Sequence, residues 1–341
     1  MKPVTMTSSN RFSDPELTIV LVSYNTKDLT LECIRSVFEQ TRSIPFEVIV
    51  LDNASTDGSA EALREAFPDI HLIASSENLG FGRANNLLAK QARGRRILLL
   101  NPDTVVLDHA VDRLCEFADK NPDRRIWGGR TVFADGTLNP SSCWADATLW
   151  SVFCYVTGLS RFNWSRLFNP EGYGSWKRDT VRAVDIVTGC FFLIDKDLWQ
   201  QLGGFDPQFF MYGEEADLCM RARRFGARPT ITPAATIVHH GHASEPDRAE
   251  QRIKVLAGRI TLMQRHRPPL TLAIAKMLYL MLPIVRLVAY QAAGMVLQKE
   301  DYRRSASAAR YMWLNRDRWI NGWDDMSIAQ AQFWRQSALP K

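Results

Sequence analysis

Three clusters of polar residues in the first third of the chain contain side chains suited to binding a charged ligand. They lie at residues 23–25, 52–57 and 101–103. A carboxylate such as that of Asp52 can accept hydrogen bonds from the N–H groups of a ligand. The carboxylate of Asp103 offers the hard oxygen atoms that Mg²⁺ and Mn²⁺ prefer. Aspartates also form turns and begin helices, so a structural interpretation stays open for both residues.

A second group of titratable residues lies between residues 214 and 242. Three carboxylates begin a predicted helix and three histidines follow a predicted strand: Glu214, Glu215, Asp217, His239, His240 and His242. A carboxylate in a cleft can act as a general base for a hydroxyl group. Carboxylates are also common in solvated first turns of helices, and a lone histidine is more often structural than a ligand. A zinc site is not indicated, because no pair of cysteines lies close in sequence.

These residues are positioned by a regular alternation of predicted strands and helices. Strands are predicted at 17–22, 47–51, 70–74 and 97–100, and helices at 31–38, 60–67 and 84–92. Strands that alternate with helices form a parallel, doubly wound sheet, which binds ligands beyond the carboxyl ends of its strands. Each polar cluster directly follows one of these strands, so we expect a binding site at that edge.

The rest of the sequence has a different pattern. Residues 137–180 are rich in aromatic side chains and show little periodicity. Strands are predicted at 183–187 and 191–194, a helix at 214–225, and helical structure from about residue 250 onward. We therefore expect three parts: a disordered tail at 1–14, an α/β domain at 15–250 and a helical C-terminal extension at 251–341.

The composition is that of a globular protein with about two domains. Of the 341 residues, 46% are hydrophobic and 23% are charged, and the net charge is +5. The absence of any tract rich in lysine and arginine argues against a nucleic-acid partner. The six cysteines are scattered and form no CxxC pair, which indicates free thiols in a reducing cytoplasm.

One apolar segment near the C terminus raises the question of membrane contact. Lys276 and Arg286 bracket only nine residues, whereas a membrane-spanning helix needs about 20. We interpret the segment as either an interfacial helix or a helix packed on the α/β domain. The remainder, which is basic and rich in tryptophan, favours a membrane surface. Its residues are Arg303, Arg304, Arg310, Trp313, Arg316, Arg318, Trp319 and Trp323.

Six segments, in the order found in the family, resemble motifs of the family 2 glycosyltransferases of GT-A fold. They are VSYNTKD (22–28), VLDNASTDGS (50–59), ENLGFGRANN (77–86), LLLNPDT (98–104), TGCFFLI (188–194) and GGFDPQFFMYGEEADLCMRARRFG (203–226). Within the family they are most similar to the bacterial rhamnosyltransferase-type branch. The resemblance covers residues 17–245, most of the chain.

The resemblance implies an α/β fold with a GT-A, Rossmann-like, doubly wound mixed sheet and a C-terminal helical extension. It implies an inverting, metal-dependent glycosyltransferase that uses Mg²⁺ or Mn²⁺ and a nucleotide-diphosphate sugar. The branch suggests dTDP-rhamnose, while a UDP- or GDP-sugar stays open. The implied acceptor is a glycan or a polyprenyl-linked saccharide in cell-surface polysaccharide synthesis. The implied location is the cytoplasm, with peripheral contact to the anionic inner face of the membrane as a further expectation.

The same resemblance implies roles for individual residues. The nucleotide-sugar contacts that it implies are Ser23, Asn25, Asp52, Asn78, Gly80, Asn85 and Asn101. It implies Asp103 as a metal ligand, and His239 is the histidine that we favour beside it. The general base is expected at Glu215, where the family motif has Asp. This departure keeps Glu214 and Asp217 open as alternatives.

Two other classes of protein share parts of this sequence pattern. A non-catalytic module that holds a nucleotide or a glycan is supported only by the departure at Glu215. An NAD-dependent dehydrogenase would share the alternating strands and helices. Its glycine-rich G-x-G-x-x-G turn is absent, because the first strand is followed by Ser23-Tyr24-Asn25-Thr26. The glycines at residues 78–86 precede a predicted helix. They can form a turn that binds phosphate, or they can form an ordinary glycine turn with no ligand.

Overall fold

The computed structural model describes residues 14–241, 247–297, 300–325 and 328. The predicted N-terminal tail, apart from Asp14, and His242 lie outside the described residues. The chain divides into two compact units. The sheet unit comprises Met1–Ala145, Trp176–Pro207 and Glu215–Ser244, and the helical unit comprises Asp146–Ser175, Gln208–Glu214 and Glu245–Lys341. The helical unit therefore contains two segments that precede residue 245 in addition to the C-terminal part of the chain.

The elements are numbered in chain order. The strands are β1 (Leu17–Ser23), β2 (Phe46–Asp52), β3 (His71–Ala74), β4 (Arg96–Leu100), β5 (Thr104–Val106), β6 (Ile126–Val132), β7 (Leu138–Asn139), β8 (Cys143–Trp144), β9 (Arg182–Ala183), β10 (Ile186–Val187), β11 (Phe191–Asp195) and β12 (Thr230–His239). The helices are α1 (Lys27–Gln40), α2 (Ser59–Ala66), α3 (Gly80–Gln91), α4 (Ala110–Lys120), α5 (Leu149–Thr157), α6 (Lys196–Leu202), α7 (Glu214–Arg224), α8 (Arg248–His266), α9 (Pro269–Leu297) and α10 (Glu300–Leu314).

The main sheet has the strand order β3-β2-β1-β4-β11-β6-β12-β5. Its first four strands are parallel and alternate with α1, α2 and α3, which confirms the predicted order. β11 pairs antiparallel with both β4 and β6, so the sheet is mixed. The single strand predicted at 183–187 is instead two short strands, of which β9 pairs with β12 and β10 pairs with β8.

The apolar strand residues explain why this sheet is central. β1 is buried on both faces, as expected of a parallel strand covered by helices on each side. The strands β6, β11 and β12 approach closely at Gly129 of β6. An added Cβ there would lie 2.6 Å from the Phe191 ring and still closer to the carbonyl oxygen of Ala235. The absence of a side chain at Gly129 therefore permits this packing.

An irregularity in β12 precedes the part of the strand that pairs with β5. The pairing of β12 with β6 shifts register between Thr232 and Thr236, a stretch that contains Pro233. Proline has no N–H to donate to a neighbouring strand, so such a break is expected. Beyond the break β12 also pairs with β5, which places His239 opposite Thr104, the residue after Asp103.

The helical unit has its own core, and this corrects one expectation. Trp319 and Trp323 are buried, and their indole N–H groups donate to the carbonyl oxygens of Met312 (3.1 Å) and Met211 (3.0 Å). They fill the core of the unit and are therefore not the membrane-facing side chains predicted from the sequence. The aromatic segment also contains a helix, α5, which was not predicted because it is only nine residues long.

The helix α9 is longer than the apolar segment considered in the sequence. It continues through both Lys276 and Arg286 to reach 29 residues. By length and composition alone it could cross a membrane, and only 22% of its most apolar 18-residue window is buried. The charged residues Lys276 and Arg286 therefore do not mark the ends of this helix.

Candidate active site

The carboxyl ends of β1 and β2 bring Ser23 beside Asp52, which are paired in the strand register. The side chain of Asp52 is buried, and its Oδ2 accepts a hydrogen bond from the backbone N–H of Ser55 (3.1 Å). Its Oδ1 is also buried but accepts no hydrogen bond from the described residues. A buried oxygen atom without a hydrogen bond destabilises the protein, because it has lost its contact with water. A hydrogen bond from an N–H group of a ligand to this atom would therefore contribute strongly to binding.

Asn53 joins this edge to the turn that begins α3, a role that the sequence analysis missed. Its Oδ1 accepts from the backbone N–H of Leu79 (2.8 Å), and its Nδ2 donates to Oδ1 of Asn78 (3.0 Å). Oδ1 of Asn78 also accepts from the N–H of Gly80 (2.9 Å), where the backbone has a positive φ of 76°. The sequence did offer one indication of this role, because Asn53 directly follows Asp52 in the polar cluster at residues 52–57.

Three of the predicted ligand contacts bind other parts of the protein. The hydroxyl of Ser23 is fully buried and lies 2.9 Å from that of Thr30. Oδ1 of Asn25 accepts from the N–H of Thr56 (2.8 Å). Nδ2 of Asn85, on the buried side of α3, donates to the carbonyl oxygen of Phe81 (2.9 Å). Ser23 and Asn85 are therefore buried and hydrogen-bonded within the sheet unit, and their contact with a nucleotide sugar stays a prediction.

Asp57 caps the starts of two helices. Its Oδ2 accepts from the N–H of Lys27 at the start of α1, and its Oδ1 accepts from the N–H of Ser59 at the start of α2. Burial acts to raise the pKa of Asp57, but the hydrogen bonds from Ser59 and Lys27 outweigh it and lower the pKa. This residue therefore holds two helix starts and is a suitable control for Asp52.

The loop after β4 places Asp103 against β12. Oδ1 of Asp103 lies 3.4 Å from Nε2 of His239, and both side chains are largely buried. Nδ1 of His239 lies 3.4 Å from the hydroxyl of Ser141. Asn101 supports the same loop, because its N–H donates to the carbonyl oxygen of Cys190 (3.2 Å). The structure therefore brings together Asp103 and His239, which are distant in sequence, as predicted.

The two charges of this pair stabilise each other. Burial acts to raise the pKa of Asp103, but the hydrogen bond and charge of His239 outweigh it and lower the pKa. Burial likewise acts to lower the pKa of His239, whereas the neighbouring Cys190 and Asp103 raise it above the usual value. The carboxylate of Asp103 offers the hard oxygen atoms that Mg²⁺ and Mn²⁺ prefer, and His239 lies directly beside it.

A divalent metal ion at Asp103 would need further ligand atoms, so we consider which side chains lie near it. Among the residues that the structure describes, no three His, Cys, Asp or Glu side chains gather closely enough to hold an ion. Mg²⁺ and ions like it are commonly bound by one or two carboxylates together with phosphate oxygens of a substrate. Asp103 at a strand end fits that arrangement, in which a diphosphate supplies the other oxygens.

The turn at residues 188–190 connects these parts of the sheet unit. The hydroxyl of Thr188 donates to the carbonyl oxygen of Ser141 (2.7 Å), which is the neighbour of His239. An added Cβ at Gly189 would lie 2.9 Å from the ring of Phe81 at the start of α3. Cys190 receives the hydrogen bond from Asn101 described above. The absence of a side chain at Gly189 lets the start of α3 and the loop after β4 approach the same turn.

The three candidate bases at the start of α7 have different surroundings. Asp217 is buried, and its Oδ2 accepts a hydrogen bond from Nε of Arg221 (2.7 Å). Arg221 also donates to the carbonyl oxygens of Leu202 and Gly204. Glu214 is buried, whereas Glu215 is half-exposed. A base must reach both a substrate and a route for its proton, so Glu215 has the most suitable surroundings.

Comparison with known proteins gives a match over more than half of the chain. The family model described as glycosyl transferase family 2 matches residues 18–201. The chain is 29% identical over 238 residues to the O-antigen biosynthesis protein RfbC of Myxococcus xanthus, a match that covers 67% of this chain and 18% of that protein. It is 27% identical over 219 residues to the N-acetylglucosaminyl-diphospho-decaprenol L-rhamnosyltransferase of Mycobacterium tuberculosis, covering 60% of this chain and 70% of that protein.

The fold also has a counterpart among solved structures. The mannosyltransferase PcManGT from Pyrobaculum calidifontis, in complex with GDP-Man and Mn²⁺, is similar with a TM-score of 0.54. The match covers 96% of this chain and 89% of that one, at 17% sequence identity. At this identity the likeness concerns the fold alone, and the fold agrees with the GT-A expectation.

Proposed function

This chain belongs to glycosyl transferase family 2, and on that premise we propose that it transfers a sugar from a nucleotide diphosphate to a hydroxyl group with inversion at the anomeric carbon. We propose dTDP-rhamnose as the donor, because a relative of comparable length is named an L-rhamnosyltransferase. A UDP- or GDP-sugar is the alternative. The acceptor is a glycan or a polyprenyl-linked saccharide, in agreement with the names of both relatives.

The placement of Asp52 and Asp103 on either side of β1 is the observation that carries this proposal. Asp52 ends β2 and Asp103 follows β4, and both strands are direct neighbours of β1. Strands two places apart in a sheet are about 10 Å apart. That separation suits a ligand with a base at one end and a diphosphate at the other. Asp52 would accept a hydrogen bond from the base, and Asp103 would lie at the diphosphate.

The chemistry requires one proton transfer and one displacement. The carboxylate of Glu215 accepts the proton of the acceptor hydroxyl, and that oxygen forms the new bond to the anomeric carbon. The bond from the anomeric carbon to the nucleotide diphosphate breaks on the opposite face, which inverts the configuration. The half-exposed position of Glu215, beside a buried Glu214 and an Asp217 engaged with Arg221, supports this assignment.

The departing diphosphate carries negative charge that must be stabilised. Asp103 is the residue that would hold a Mg²⁺ or Mn²⁺ ion there, with His239 beside it. When bound, such an ion neutralises the charge on the leaving group. The residues of the chain orient the diphosphate toward this end of the site. The N–H groups of the first turn of α3 are suited to that task. The N–H of Gly80 itself donates to Asn78, so Gly80 would contribute by the close approach that its missing side chain permits.

A transfer assay with labelled nucleotide sugars tests the function. The purified chain is incubated with Mn²⁺ or Mg²⁺, an oligosaccharide acceptor and, in separate reactions, dTDP-rhamnose, UDP-sugars or GDP-sugars. We expect label in the acceptor with dTDP-rhamnose. If only another nucleotide sugar supports transfer, that sugar is the donor and the rhamnose assignment is wrong. Binding of nucleotide without transfer to any acceptor, under conditions where a known transferase is active, would favour the non-catalytic module.

Replacing Asp52 by Ala is expected to raise the KM for the donor by about 10- to 100-fold with little change in kcat. A hydrogen bond to a charged group contributes about 1.5–3 kcal/mol, and the contact is equal in the ground and transition states. Asp57→Ala is the control, because it should lower the Tm by removing two helix caps while leaving the KM unchanged. An unchanged KM with a lowered Tm for Asp52→Ala would show that Asp52 is structural.

A further inference from the structure

The exposed apolar side chains of this protein are concentrated in the helical unit. Of the fifteen large hydrophobic residues that are exposed among the described residues, only Phe133, Val181 and Phe225 lie in the sheet unit. Single exposed apolar residues are ordinary, whereas a contiguous group indicates a surface that contacts something other than water. The twelve in the helical unit are Trp150, Phe153, Phe162, Trp164, Leu167, Leu270, Met277, Met281, Ile284, Val288, Met295 and Leu314.

Helix α9 carries half of this group on one face. Its exposed residues are Pro269, Leu270, Ala273, Met277, Met281, Ile284, Val288, Ala289, Gln291, Ala292 and Met295. Gln291 is the only polar side chain among them. The large members recur at intervals of three, four and seven residues, so they form one stripe about 38 Å long. The exposed face of a helix in water is normally polar, whereas this one is apolar except for Gln291.

The opposite face of α9 is occupied within the helical unit. Ala275, Tyr279 and Leu282 are fully buried there. The hydroxyl of Tyr279 lies 3.4 Å from Nη1 of Arg259, which is paired with Glu171. The apolar stripe is therefore the outer side of a packed helix.

Aromatic residues of α5 and the segment after it extend the same surface. The rings of Trp150 and Phe153 stack at 5.5 Å, and Nε1 of Trp150 donates to the carbonyl oxygen of Leu167 (2.7 Å). A hydrogen bond from Arg161 to the hydroxyl of Tyr290 (2.9 Å) joins this segment to α9. We call the exposed apolar residues of α5, of residues 158–168 and of α9 the apolar face.

The charged residues within the segments that form the apolar face are all positive. Helix α9 contains Lys276 and Arg286, and residues 147–170 contain Arg161 and Arg166, both exposed. Neither segment contains an aspartate or a glutamate. A second copy of the chain would place like charges opposite each other, which disfavours it as the occupant. An anionic lipid surface has the complementary charge.

We propose that the apolar face docks into the interfacial region of a bilayer that contains anionic phospholipid, with α9 lying in the membrane plane. Apolar side chains enter the boundary between head groups and acyl chains, while arginine and lysine contact the phosphates. Tryptophan and phenylalanine at the rim suit the same boundary. Lys276 and Arg286 within α9, and the packing of Tyr279 on its inner side, oppose a membrane-spanning arrangement. This inference goes beyond sugar transfer, because the residues involved are all outside the candidate active site.

Co-sedimentation of the full chain with vesicles tests this proposal. We expect binding to vesicles of phosphatidylethanolamine and phosphatidylglycerol, and much weaker binding to vesicles of phosphatidylcholine alone. Salt should weaken the binding without abolishing it, because only its electrostatic part is screened. The combined variant Met281→Gln, Ile284→Gln and Val288→Gln should lower the partition coefficient by about tenfold or more, since three inserted side chains lose their burial.

The matched control carries glutamine at two exposed apolar positions of the sheet unit, Val181→Gln and Phe225→Gln, and should bind vesicles like the original chain. All substituted positions are exposed, so the circular dichroism spectra should be unchanged. Transfer to a water-soluble acceptor should also be unchanged, which separates a failure of docking from a failure of the proposed function. The proposal is overturned if the triple variant binds vesicles normally or if binding ignores lipid charge. It is equally overturned if α9 resists extraction at alkaline pH as a spanning helix does, or if light scattering shows a dimer that the triple variant abolishes.

Discussion

Replacing Glu215 by Gln is expected to reduce kcat by about 10²–10⁴-fold while leaving donor binding unchanged. Glutamine keeps the size of the side chain but accepts no proton. The half-exposed carboxylate lies at the start of α7, where a helix N-terminus stabilises its negative form. The measurement is the rate of sugar transfer at saturating donor and acceptor, together with the Kd of the donor.

The neighbouring carboxylates provide controls of equal chemistry. Positions 214 and 217 are three residues apart on one face of α7, whereas position 215 is rotated by about 100°. Glu214→Gln should therefore retain most activity. Asp217→Asn should act chiefly on stability, because it weakens a buried ion pair with Arg221. Glu215→Asp should keep part of the activity. If Glu215→Gln transfers sugar at a near-normal rate and one neighbouring variant is inactive, the general base is that neighbour. If all three variants transfer sugar at normal rates, the single-base mechanism is wrong.

Replacing Asp103 by Asn is expected to reduce transfer by about 10³-fold or more at any metal concentration. A metal ion at a leaving group stabilises the transition state by several kcal/mol, and each factor of ten in rate corresponds to about 1.4 kcal/mol. The amide loses the charge that would hold the ion. A second readout is binding itself: the rise in Tm that Mn²⁺ and a nucleotide diphosphate together produce should disappear in the variant.

The matched control is Asp108→Asn, a few residues further along the chain. Asp108 is exposed and pairs with Arg113 at 3.3 Å, its one ion pair among the described residues and a surface contact of small energetic value. It also has a positive φ, which asparagine tolerates, so the substitution should preserve both the fold and the activity. Full activity of Asp103→Asn with either metal, or a metal-dependent rise in Tm equal to that of the original chain, would show that the ion is held elsewhere.

The sequence by itself determined the parallel half of the sheet and the edge at which the polar clusters lie. Buried strands such as β1 and β2 contain uninterrupted apolar runs, and the helices between them repeat apolar residues at helical spacing. Both signals are local, because they depend on which faces of one element are buried. The resemblance to family motifs predicts Asp52, Asp103 and the carboxylates of α7 as site residues, and the match to the family model confirmed the glycosyltransferase family.

The tertiary structure alone decided how deeply each side chain is buried and which residue it contacts. Asp217 and Glu215 are equally acidic in sequence, but Asp217 is buried beside Arg221 whereas Glu215 is half-exposed. Trp319 is as apolar as Trp164, yet the first is buried in the helical unit and the second is exposed. The physical reason is that the partner of a side chain is set by segments far apart in the chain. The spacing of apolar residues along a helix or strand shows which of its faces is buried. It does not show which residues of other elements will contact that face.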